Sequence, residues 1–97
     1  MMKAATVPAA LFAIQSVLVK ARGLAATGAD AKTLGKILDW AEMLPSLITL
    51  REEDTTEAFR EALAGLGEDF PECKGFLSNF DNGISWFAPS QQEARAS

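Results

Sequence analysis

Five residues suited to holding an anion flank one glycine-containing turn: Lys20 and Arg22 before it, and Lys32, Thr33 and Lys36 after it. Residues 1–36 carry five bases against the lone acid Asp30, a net +4. Residues 37–97 carry four bases against twelve acids, a net −8, and the whole chain stands at −4. Such a division favours complementary contact, either between copies of the chain or with an anionic ligand at the basic end. A helix that starts at Asp30 would also present unpaired backbone N–H groups there, the physical basis of anion binding at helix starts. Asp30 works against that use, because a capping carboxylate takes those donors itself. The competing reading is a solvated helix start with ordinary surface lysines. Residues 27–33 end in Lys-Thr but lack both the glycine spacing and the preceding strand of a phosphate loop.

The catalytic inventory is short. The chain has no histidine, no tyrosine and one cysteine. Histidine acid–base catalysis, a serine–histidine triad and a cysteine–histidine zinc site are therefore excluded by composition. Glu52-Glu53-Asp54 is the densest acidic cluster, and entry into a helix explains it, since acids there oppose the helix dipole. Hard-cation sites draw their carboxylates from separate elements, so a carboxylate–magnesium enzyme is the weaker alternative. Cys73 has no base beside it, and its neighbours Asp69 and Glu72 would raise its pKa, so it reads as a small buried hydrophobe. The expectation is a protein that is not an enzyme and uses no cofactor or metal. The acidic balance and the lack of an aromatic–basic patch argue against direct nucleic-acid binding. One unpaired cysteine fits a reducing, cytoplasmic setting.

The elements that must position these residues are helical. Thr6 with Pro8 suits a helix start, and Leu11, Ile14, Leu18, Ala21 and Ala25, widened by Val17 and Leu24, form an apolar stripe at helical spacing. This predicts a long first helix over 7–27, closed by Gly28. Gln15 and Ser16 interrupt the apolar run, and Lys20 and Arg22 follow it closely. A buried amphipathic helix is thus expected in place of a cleaved signal or a membrane span. Asp30 caps a second helix with Leu34, Ile37, Leu38, Ala41 and Leu44 inward, broken at Pro45. A short helix over 45–51, or a kinked continuation of the second, comes next.

Asp54 and Glu57 form a capping box for a helix with Phe59, Ala62, Leu63 and Leu66 inward, closed by Gly67. Pro71 opens a last short helix with Phe70, Cys73, Leu77 and Phe80 inward, and Asp81-Asn82-Gly83 signals a turn. Residues 84–87 are a brief apolar run. With 97 residues, 48% of them hydrophobic, the chain should form one domain, 1–87, with a flexible tail over 88–97. The fold class is all-α: a compact bundle of four to five short helices with a long first helix and a disordered C-terminal tail.

Eight Phe and Trp residues are many for so small a body, so some apolar surface should end in an interface. Phe12, Trp40, Trp86 and Phe87 are the candidates. Docking of Trp86 and Phe87 on the chain's own core and on a neighbouring subunit are equally consistent with spacing. Leu38-Asp39-Trp40-Ala41-Glu42-Met43-Leu44-Pro45, then Glu57-Ala58-Phe59-Arg60, and Phe80-Asp81 at the close carry a resemblance. In these helix and turn patterns, over roughly 11–81, the chain resembles small phage- and prophage-encoded helical proteins, most of which have no assigned activity. The resemblance implies an accessory protein that counters host defence, by binding a defence complex or as an oligomeric sponge for a signalling nucleotide. The resulting expectation is a cytoplasmic homo-oligomer that binds a host protein or a small anionic ligand, with no direct nucleic-acid or membrane partner. The alternative is a structural or assembly module docking through its acidic helices.

Overall fold

The structure is a computed structural model, described here for the backbone of residues 2–86 and the side chains of residues 6–84. It holds four α-helices and two single 3₁₀ turns, with no strand among the described residues. In chain order these are α1 (Met2–Ala26), α2 (Ala31–Met43), a 3₁₀ turn (Leu44–Leu47), α3 (Glu52–Asp69), a 3₁₀ turn (Pro71–Cys73) and α4 (Gly75–Trp86). The all-α class and the long first helix are as expected from sequence. The expected tail, 88–97, and Phe87 lie outside the described residues, as does the side chain of Trp86.

Helix α1 is the post of the bundle, packing on α4, α2, α3 and the first 3₁₀ turn. It begins at Met2, ahead of the expected start at 7, so Pro8 lies inside it and one backbone hydrogen bond is missing there. Its rotation also differs from expectation. The buried residues are Ala9, Ala10, Ala13, Val17 and Ala21, whereas Leu11 and Leu18 are 54% and 49% exposed. A helix that is apolar all round does not announce its inward face by periodicity. The small-residue face turns inward because it lets neighbouring helices approach closely. A Cβ built on Gly83 of α4 would lie only 3.4 Å from the Ala9 Cβ.

Polar contacts fix the same rotation. Thr6, expected as a cap, is buried, and its hydroxyl donates to Glu52 Oε2 at 2.9 Å and lies 3.2 Å from the Thr56 hydroxyl. Asp30 does cap α2, accepting from the Thr33 N–H at 2.9 Å, and Gly28 takes the left-handed conformation (φ 81°) that turns the chain between the helices. Ile37, Ala41 and Leu44 are buried as expected, but Leu38 faces solvent. Pro45 ends α2 in one 3₁₀ turn and not in a further helix.

The Asp54–Glu57 capping box does not form, because α3 already starts at Glu52 and Arg51 occupies the cap position without a side-chain bond. Thr55 serves instead. Its buried hydroxyl accepts from the Thr49 N–H at 2.9 Å and approaches the Arg51 carbonyl at 3.2 Å, tying the entering loop to the first turn. Gly67 does not close α3, which runs on to Asp69. Asp81-Asn82-Gly83 is not a turn either. α4 continues through it, because Gly83 packs on α1 and the Asp81 carboxylate accepts from Arg60 Nε at 2.8 Å. The core joins the α1 stripe to Ile37, Leu44, Phe59, Leu63, Leu66, Phe70, Cys73 and Phe80, with the Phe59 and Phe80 rings stacked at 5.5 Å. Thr55→Val should cost about 1–3 kcal/mol, since it leaves the Thr49 N–H without its partner, read as a lowered urea midpoint with an unchanged slope.

Candidate functional site

The five basic-junction residues do not converge on one cavity. Lys20 faces α4 and the second 3₁₀ turn, its ammonium 3.2 Å from Glu72 Oε2, and it lines a groove with Gln15, Val19 and Phe76. Lys36 lines a different groove, beside Asp39, Trp40, Met43 and Asp69. Arg22, Lys32 and Lys36 are exposed, and no ion pair or hydrogen bond engages their side chains among the described residues. Thr33 gives its N–H to Asp30, so the donor an anion would use at the start of α2 is already taken. The Thr33 hydroxyl and N–H hold the Asp30 carboxyl below the usual carboxylate range. Glu72 is also held low, by a backbone hydrogen bond first and by Lys20 second.

Trp40 is half-buried between α2 and α3. Its indole N–H donates to Asp69 Oδ2 at 2.9 Å, and its ring fills the space that a Cβ on Gly65 would need, 2.9 Å away. Most of Trp40 therefore serves packing within the chain. Cys73 is buried, and its thiol is pushed up, by burial first and by the Glu72 charge, with Lys20 opposing. That suits a packing residue and not a nucleophile. Among the described residues no three metal-ligating side chains gather.

What sequence spacing missed lies on α1. Since its small face turns inward, Leu11, Phe12, Leu18 and Val19 stand 54%, 58%, 49% and 62% exposed. Beside Phe12 runs a groove of about 480 Å³ between α1 and α4, floored by Ala9, Ala13, Phe76 and Phe80 and edged by Ser16, Asn79 and Asn82. The Lys20 groove continues it, sharing Ser16 and Phe76. Phe12, an interface candidate from sequence, lines this site. A signal for it was present in the run 7–19, which is apolar at nearly every position and contains no charge. Over Thr6–Ala26, α1 is long and apolar enough to cross a membrane by length and composition, a test that core helices of soluble proteins and signal sequences also pass.

Fold and site together define a small all-α bundle with an apolar helix face and a charge-divided surface. Comparison with known protein families, with curated proteins and with solved structures finds no match.

The lowered acid groups set an expected pH response. A carboxyl whose folded pKa is depressed contributes stability that is present above its unfolded value and lost as pH falls through the folded one. Asparagine caps a helix as well as aspartate does. The double variant D30N/E72Q should therefore fold at neutral pH and show a shallower loss of urea midpoint below the usual carboxylate range than the wild type. An equally steep acid limb would contradict the assignment.

Proposed function

We propose that this chain is a non-enzymatic binding protein that works as a homo-oligomer and engages a protein partner on the outward face of α1 and the α1/α4 groove. One observation carries the reading: Leu11, Phe12, Leu18 and Val19 are exposed on the outward side of α1, which has no charge between 7 and 19, and Phe12 and Val19 edge the grooves between α1 and α4. Contiguous apolar surface of this kind marks interaction sites in soluble proteins. Composition supports the non-enzymatic part, through the missing histidine and tyrosine and the buried, unactivated Cys73. The resemblance to small phage-encoded helical proteins supports a cytoplasmic accessory role against host defence, with a host complex as the partner.

A second reading keeps the small anionic ligand. It is favoured by Arg22, Lys32 and Lys36, three exposed cations with no partner among the described residues. The pairing of Lys20 with Glu72 and of Thr33 with Asp30 weighs against it.

The two readings separate by experiment. L18E/V19E alters solvent-facing positions, so the melting temperature should hold while a photo-crosslinker at Leu11 loses its adduct to an identified host protein. An adduct formed equally by the variant would reject the α1 surface. If the anionic reading holds, a cyclic dinucleotide should bind the wild type in a calorimetric titration and lose at least tenfold in affinity in K32E/K36E. Equal binding by the variant would reject that site.

A further inference from the structure

Two exposed helix faces carry the same spacing with opposite charge. On α2, Lys32, Lys36 and Asp39 stand at i, i+4 and i+7, and on α3, Glu53, Glu57 and Arg60 stand at the same intervals. Residues so spaced share one side of a helix, and at 1.5 Å per residue each set spans about 10 Å. From N- to C-terminus one face reads plus, plus, minus, and the other minus, minus, plus. The next position on each face, i+11, is exposed and apolar: Met43 on α2 and Ala64 on α3. Lys32, Lys36, Asp39, Glu53 and Glu57 make no ion pair or side-chain hydrogen bond among the described residues. Arg60 spends only its Nε on Asp81 in an exposed pair, leaving its terminal nitrogens for a second carboxylate.

We propose that copies of this chain assemble through these faces, with α2 of one copy lying parallel to α3 of the next. The proposal deepens the oligomeric part of the function above and rests on it. In the parallel register Lys32 meets Glu53, Lys36 meets Glu57 and Asp39 meets Arg60, and the larger Met43 lies over Ala64. The antiparallel arrangement of the same segments sets Lys32 against Arg60 and Asp39 against Glu53, two like-charge pairs. A parallel slip of one turn leaves Lys36 with Glu53 in one direction and Lys32 with Glu57 and Lys36 with Glu61 in the other, and both separate Asp39 from Arg60. Like-charge repulsion thus selects the parallel direction, and the number of opposed pairs favours this register.

Each copy offers one face of each kind, so the contact is heterologous and leads to a ring or to an open chain. Exposed ion pairs are individually weak and screened by salt, so the assembly is salt-sensitive. The α1 face takes no part in it and stays open for the partner.

The test is molar mass by light scattering in about 50 mM salt, where screening is modest, with thermal melts to confirm folding. The wild type should exceed one chain and fall toward one chain as salt rises. K32E/K36E, which adds acids at the start of α2 where the dipole favours them, should run as a single chain, as should E53K/E57K. If lysines at the start of α3 unfold the second variant, E53Q/E57Q replaces it, with at least tenfold weaker assembly expected. Mixing K32E/K36E with E53K/E57K one to one should restore the assembly, because reversed faces meet reversed faces. A wild type of single-chain mass overturns both this proposal and the oligomeric reading. An oligomeric wild type that either variant leaves unchanged, or variants that stay apart on mixing, overturns this proposal alone.

Discussion

The structure depends on the close approach of other helices to one narrow stripe of α1. Ala9, Ala13, Val17 and Ala21 present little more than methyl groups, so dispersion and exclusion of water act between backbones that nearly touch. Gly83 on α4 answers Ala9 on α1, and larger side chains from α2, α3 and α4 complete the core. A bulky residue at any of these alanines would push a helix off the post. The consequence is on the surface. With the small side inward, Leu11, Phe12, Leu18 and Val19 are left outside, and a groove edged by Phe12 is left between α1 and α4.

Burial alone does not specify the rotation of a helix that is apolar on every side. Polar contacts supply that choice, through the Thr6 hydroxyl on Glu52 and Thr56 and, toward the other end of the helix, the Lys20 ammonium on Glu72. The Trp40 indole on Asp69 does the same for α2 against α3. Individually such bonds add about 1 kcal/mol, far less than burial of Phe59 or Phe80, yet each has a partner in only one arrangement. Their effect is specificity more than strength.

The same accounting narrows the charge pattern. Within the chain, Lys20, Arg51 and Arg60 are neutralised by Glu72, Asp54 and Asp81, and Asp30 is committed to its cap. Among the described residues, Arg22 on α1, Lys32, Lys36 and Asp39 on α2, and Glu53 and Glu57 on α3 remain unpaired. The exposed charges of α2 and α3 lie on two separate helix faces. The apolar face of α1 is a third surface, chemically distinct from both.

Much was legible in the amino acids themselves. The helical class, the Asp30 cap, the Gly28 turn, the break at Pro45 and the inward Phe59, Leu63, Leu66 and Phe80 follow from local rules that act within a few residues. The missing histidine and tyrosine limit the chemistry whatever the fold. Other features depended on partners distant in sequence. Asp81-Asn82-Gly83 reads as a turn until α1 packs against Gly83, and Asp54–Glu57 reads as a cap until Thr49 and Thr55 bond instead. Lys20 looks available until Glu72 arrives from 52 residues away. Sequence by itself therefore determined the element types and the range of chemistry, because those rest on local geometry and composition. Only the tertiary structure decided which side of α1 is buried, and hence which surface is offered, because that depends on how closely a second helix can approach.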